Sequence, residues 1–358
     1  MTSLPPNRYA PGFWHEAYDI CLRFESDCQN LPLVRASASP LICARFLGYM
    51  ILEAPTDRGR DNCANEIKDC ADEETLMKLA NLYINDHVRC SSETAVKSAK
   101  GRTPTPSEHP SRPSFDDTQE ALKYLLQQAP QNHTTAKSKA LIRDSYRCTL
   151  TGHYDKACYL SMNTIRRKVD SCGLRVAVTE AAHIFPESMN ARVSGENEGG
   201  VKREYAASVW AVMERFGQAF VTEELNSPDI HRLQNILTME ASKHEMFDSL
   251  QLWLESTGSP NCYKVNSVAP ALQSDIPDIV TFTTSDPLNL PLPSPDYLHL
   301  HAACARVAHL SGAGEHIDRV FRDMEEMQVL AVDGSSTDIL SYALSSSVKF
   351  ADLENESQ

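Results

Sequence analysis

The sequence predicts an α+β fold, a mostly helical chain with a small strand-bearing part, and three observations carry that prediction. Apolar residues recur at three- and four-residue spacing across much of residues 10–98, the period of a helix. A β-rich run, Val176 to Phe185, is closed by Pro186. After it come a short apolar run, Asn235 to Met239, and a helical stretch opening at Glu240.

Taken in order, Phe13, Ala17, Ile20, Cys21 and Phe24 mark a first helix. Ala44, Leu47 and Ile51 mark a second, and Leu76, Leu79, Ala80, Leu82 and Tyr83 a third. No metal-ligand spacing and no nucleophile elbow stands out in this helical N-terminal region, residues 1–98. Residues 99–114 read as a linker, because Pro104, Pro106, Pro110 and Pro113 among Ser, Thr and Gly oppose helix and strand alike. Ser114 and Asp117 resemble a capping box, with Leu122, Leu125 and Leu126 as the stripe of the helix that follows and Pro130 as its stop. A short helix is expected from Lys137 to Tyr146, then a β-rich run Cys148–Gly152 ending in a glycine turn. Residues 187–204 are polar and Gly-rich, hence loop. Val209, Trp210, Val212, Met213, Phe216, Phe220 and Val221 form an apolar helix. Glu240 to Leu254 reads as one helix with Phe247, Leu250, Trp253 and Leu254 on its core face. Tyr263–Val265 and Ile279–Thr283 read as late strands, and a proline-rich turn leads into helices near 296–310 and 314–327. The chain thus divides into 1–98, the 99–114 linker, a domain over 115–310 and a helical tail region over 311–358.

Composition narrows the function classes. The chain has 358 residues, 42% hydrophobic and 23% charged, ordinary for a globular protein. Its most apolar stretch, Leu41 to Leu52, is broken by Arg45 and too short for a bilayer. The N-terminus lacks the basic-then-apolar pattern of a secretory signal, so an intracellular location, nuclear or cytoplasmic, is expected and no membrane. Eleven cysteines without any C-x-x-C pair argue against a disulfide framework or a four-cysteine zinc ribbon. The net charge of −14 opposes general binding to nucleic acid. Residues 137–176 go the other way, with nine Lys and Arg against three Asp. Arg166, Arg167 and Lys168 in that island are the side chains expected to touch phosphates.

Three polar residues stand in apolar surroundings: His183 in the strand, Asn235 before the short run and His244 on the helix, with eight residues between the last two. Strand, insertion, second segment and helix is the order a ββα metal site requires. Hydrolysis of a phosphodiester needs a base for water and a divalent cation for the phosphate and the departing oxyanion. His suits the first task, with an unperturbed pKa of about 6.5, and a neutral helix His suits the second. Asp248 lies four residues after His244, on the same helical face, so both can reach one cation. Glu245 and Glu240 are weaker candidates. Glu180, three residues from His183 along a strand, falls on the opposite face. His299-x-His301 and His309 read as structural, since 299 and 301 do not share a helical face.

Arg147-Cys148-Thr-Leu-Thr-Gly152, then Glu180-Ala-Ala-His-Ile-Phe-Pro186, Asn235-Ile-Leu-Thr and His244-Glu-Met-Phe-Asp248 resemble the HNH endonuclease domain. The closer resemblance is to the variant common in predicted fungal proteins, which carries a long insertion between the first His and the Asn, here 187–234. Over roughly 138–310 the resemblance implies an embedded HNH-like ββα-metal module. It implies His183 as general base, Asn235 as positioning residue, His244 as metal ligand and Asp248 as a second one. The cofactor implied is a divalent metal, Mg²⁺ first and Mn²⁺ or Zn²⁺ as alternatives. The partner implied is nucleic acid, DNA ahead of RNA, with the oligomeric state left open. Many HNH enzymes carry Asp, Glu or His just before the base, and here that position is Ala182. This departure, with thirteen acidic against six basic residues over 178–255, fits the alternative of a degenerate module serving as a non-catalytic interaction or regulatory scaffold.

Overall fold

The computed structural model describes residues 1–28, 38–91, 132–186 and 227–326, with Phe216, Val221, Glu224 and Leu225 between them. The linker over 99–114, the Ser114–Pro130 helix, the 187–204 loop and most of the 209–221 helix lie outside the described residues. Phe216 and Val221 are helical and buried. The chain is mixed α+β, mostly helical with small sheets, and separates into two compact units, residues 1–88 with 306–358, and residues 89–305.

The first unit is helical: α1 (Phe13–Asp27), α2 (Pro40–Glu53), α3 (Asp57–Asp69) and α4 (Glu73–Ser91). The periodicity finds α1, α2 and α4. It misses α3, whose buried face is only Gly59, Cys63, Ala64 and Ile67 and whose start is set by the Thr56 cap on Gly59 N. In α2 twelve of fourteen residues are buried, including Arg45. That charge is matched by the Glu25 carboxylate, 2.5 Å from Arg45 Nε. Burial pushes the thiols of this unit up, to about 12 for Cys43 and Cys63, which keeps them protonated and inert.

The second unit opens with α5 (His133–Arg143), started four residues earlier than expected by a capping box between Asn132 and Thr135. It is stopped by Ser145 and Tyr146, both in the left-handed region. Cys148–Gly152 is a turn rather than a β-run. Cys148 N bonds His153 O, Gly152 N bonds Cys148 O, and Gly152 takes φ +73. Then follow β1 (Tyr154–Asp155), α6 (Lys156–Ser161), α7 (Asn163–Cys172) and β2 (Val176–Ala177), with β1 and β2 parallel and Tyr154, Ile165 and Val169 as their core.

The expected strand 176–185 is split at Val178. Its second part, β3 (Thr179–His183), pairs antiparallel with β4 (Ile236–Glu240), His183 opposite Ile236 and Glu180 opposite Met239. The helix expected over 240–254 is also divided. Helix α8 (Ala241–Asp248) ends where Leu250 takes φ +59 and Gln251 N bonds back to Met246 O. Trp253 and Leu254 belong instead to β5 (Leu252–Ser256), which with β6 (Cys262–Ser267) and β7 (Ile279–Thr281) forms an antiparallel sheet. Apolar spacing alone does not separate a helix from a helix, turn and strand when the side chains stay buried throughout. Helix α9 (Pro295–Ser311) carries the boundary between the units, and α10 (Ala313–Glu326) follows.

Candidate active site

The β3–β4 ribbon is covered on both faces. Side chains alternate along a strand, so Thr179, Ala181 and His183 share one face and Glu180 and Ala182 the other. Ala181 packs with Ala136 and Ala140 of α5, Leu233, Ile236 and Leu290, so α5 covers the His183 face. Glu180 meets His244 of α8, so α8 covers the other.

On the α8 face, His244 is held at both ring nitrogens. Nδ1 is 2.7 Å from Glu180 Oε2, and Nε2 is 3.2 Å from Asp248 Oδ2. Burial by itself lowers the imidazolium pKa. Hydrogen bonds to Asp248 and Glu180, with their charges, outweigh it and raise His244 to about 9. At neutral pH the ring is therefore a cation clamped between two carboxylates. One imidazole and two carboxylates are donor types that hold divalent cations. As they stand the carboxylates occupy opposite ring nitrogens, and among the described residues no group of three His, Cys, Asp or Glu donors converges to hold an ion. A ligating imidazole must be neutral, so proton and cation compete for His244. An imidazole ligates through one nitrogen, so a cation at His244 has one of these carboxylates beside it as placed and needs the other to turn toward the same nitrogen.

On the α5 face, His183 is buried, and its Nε2 is 3.2 Å from His231 Nδ1. The exposed His133 ring lies 5.7 Å from the His183 ring, centroid to centroid. The ribbon thus separates His183 from His244. The expected general base and the expected metal ligand therefore face different surroundings.

Asn235 is wholly buried and ties three segments together. Its Oδ1 accepts from Phe185 N at 3.0 Å, and its Nδ2 donates to Phe185 O and Ile230 O, both at 2.9 Å. With the Ile184 N to Asn235 O bond, these contacts fix the chain just beyond His183 to the turn that carries His231.

The weaker acidic candidates are otherwise engaged. Glu240 binds the Thr151 hydroxyl and, at 2.7 Å, His153 Nδ1, while Glu245 is exposed. Arg166, Arg167 and Lys168 lie on α7, whose buried residues are Ile165 and Val169. Arg167 and Lys168 are exposed, whereas Arg166 donates to the carbonyls of Tyr159 and Leu160. Lys139 and Arg143 are buried, and so are Asp155 and the Asp144 side chain. Seven cations of the basic island remain unburied against the single anion Asp170.

Sequence reasoning missed Glu180 and His231. The signal for Glu180 was present: alternation puts it on the Ala182 face, two residues or about 7 Å back along the strand. No spacing rule announces His231, which is 48 residues from its partner in the chain. No curated protein and no solved structure matches the chain. The segment that holds Glu180, His183, His231, Asn235, His244 and Asp248, residues 148–255, matches the family model of the HNH endonucleases.

Proposed function

We propose that the chain is a metal-dependent nuclease of the HNH type that hydrolyses phosphodiester bonds in nucleic acid. One observation carries the reading: the segment matched to the HNH endonucleases is the segment in which Glu180, His244 and Asp248 meet on one face of a β-ribbon and its helix. His244 and Asp248, with the Glu180 carboxylate turned toward the same ring nitrogen, would hold a divalent cation, Mg²⁺ first, which would stabilise the charge developing on the phosphate and the leaving oxygen. His183 takes the proton from the attacking water, the general-base task that imidazole performs most often. His231 fixes the His183 ring through the Nε2 contact, and Asn235 fixes the backbone on which both sit. Because base and cation site lie on opposite faces, one scissile phosphate can engage both only across an edge of the ribbon. Arg167 and Lys168 supply sequence-independent contacts to neighbouring phosphates, with duplex DNA as the first substrate to try.

The test is cleavage of supercoiled plasmid and of a structured RNA by the purified chain with Mg²⁺ or Mn²⁺. Nicking is expected with the cation and none with a chelator. His183→Ala should lower the rate by about 10²–10⁴, the usual contribution of a general base. Glu180→Gln should raise the cation concentration needed. Absence of metal-dependent cleavage of either nucleic acid by the wild-type chain ends this reading.

A further inference from the structure

A second group of chemistry-bearing side chains stands on the face of the ribbon away from His244. His183 Nε2 and His231 Nδ1 are 3.2 Å apart, both side chains are buried, and their rings meet edge-on at 62°. A hydrogen bond between two imidazoles at this distance sits at the long end of the range, about 2.7–3.2 Å. Two imidazole nitrogens bound tetrahedrally to one Zn²⁺, each at about 2.0–2.1 Å, stand about 3.3 Å apart. The observed spacing is therefore close to the one a shared ion imposes. Three separate elements bring imidazoles here: the first residue of α5 brings His133, the last of β3 brings His183, and a 3₁₀ turn (Ser227–His231) brings His231. Asn235 ties the last two together. Neutral nitrogen donors prefer Zn²⁺, Ni²⁺ or Cu²⁺, whereas carboxylate oxygens suit Mg²⁺ and Mn²⁺.

We infer that His183 and His231, with the exposed His133 at the solvent side, bind a nitrogen-preferring transition cation such as Zn²⁺, at a site distinct from the Glu180–His244–Asp248 face. Two protein donors are in position and, among the described residues, no third converges with them as placed. Binding is therefore weaker than at a four-ligand structural zinc, and reversible. The functional consequence rests on the nuclease reading. A cation on His183 takes the lone pair that would accept the proton from water, so Zn²⁺ inhibits the cleavage that Mg²⁺ supports. The two faces of one ribbon would then respond to two classes of metal with opposite effect.

The experiment is a Zn²⁺ titration of the tag-free full chain against a chromogenic chelator, without nucleic acid, so that it stands whether or not the chain is a nuclease. The background carries Cys172→Ser, because Cys172 is exposed and would bind zinc by itself. A bound Zn²⁺ that is retained in His244→Ala is expected, and its affinity falls about 10-fold or more in His231→Ala. His133→Ala, a change at an exposed position, should weaken it several-fold, and it serves if His231→Ala does not fold by circular dichroism. Zinc affinity unchanged in the folded variants at 231 and 133, or lost with His244 alone, overturns the inference. Zinc bound without loss of Mg²⁺-supported cleavage leaves the site standing and removes its inhibitory role.

Discussion

Arg143 shows how far a side chain's role departs from its charge. It belongs by sequence to the basic island, yet it is buried and uses all five N–H donors. Nε and Nη2 reach the two Asp144 oxygens at 2.7 and 2.8 Å, Nη2 also donates to Ile236 O, and Nη1 to Leu233 O and Pro291 O. It is thus a clamp on the segment leading into β4, not a phosphate ligand. Arg143→Met should destabilise by about 3–5 kcal/mol, since it leaves Asp144 buried without its partner. Urea denaturation of wild type and variant measures this, and a loss under about 1 kcal/mol would show that the clamp carries little. Ala182 makes the opposite point. It is fully buried on the face that holds Glu180, at the position where the HNH resemblance expects a ligand. Ala182→Asp should tighten Mn²⁺ binding by about 10-fold while lowering stability without metal by about 1–3 kcal/mol, the cost of a buried group lacking its partner. Melting curves with and without Mn²⁺ check both parts, and an equal loss in both conditions argues against a cation at this face.

Between elements, contacts replace periodicity as the deciding term. The end of α8 is set by a left-handed Leu250 and by what packs there. His301 of α9 stacks on Phe247 at 3.8 Å between ring centres and lies 3.1 Å from Phe247 O through Nε2. The reading of His299-x-His301 as structural rests on helical faces. The structure adds the reason for His301, a neutral ring in an apolar stack, its Nδ1 without a hydrogen-bond partner. Burial pulls its pKa down to about 4. The unfolded chain binds that proton near 6.5, so it takes up protons at a pH where the folded chain does not. Stability is therefore full above about 6.5, falls as pH drops toward 4 and then levels off. The loss is on the order of 3 kcal/mol. Thermal melts at pH 7 and pH 5 should show a smaller drop for His301→Phe than for wild type. Parallel drops would remove His301 as the cause. The same logic explains why β3 could be drawn from the sequence but not split: Val178 is as apolar as its neighbours, and only the change of partner from β1 to β4 divides the run.

Over the whole molecule, charge is segregated. The chain is strongly acidic, yet seven unburied cations face one anion across residues 137–176. Of these, Arg167 and Lys168 stand out on α7. If they meet phosphates, charge reversal at both should weaken duplex binding and reduce the slope of log K against log salt by about 2, roughly 0.9 per lost contact. Fluorescence anisotropy across a salt series measures it, and an unchanged slope assigns the phosphates to other side chains. The order His183, Asn235, His244, the x8 spacing, the helical N-terminal region and the α+β class were all legible from residues, because local period and neighbour type act within one segment. Alternation along β3 even fixed that Glu180 and His183 face apart. What the sequence by itself could not determine was which helix covers which face. Only the tertiary structure joined Glu180 to His244, His183 to His231 across 48 residues, and withdrew Lys139 and Arg143 from the surface. The physical reason is that periodicity sets the side of an element on which a residue lies, while the neighbour it meets there depends on long-range packing that no local pattern records.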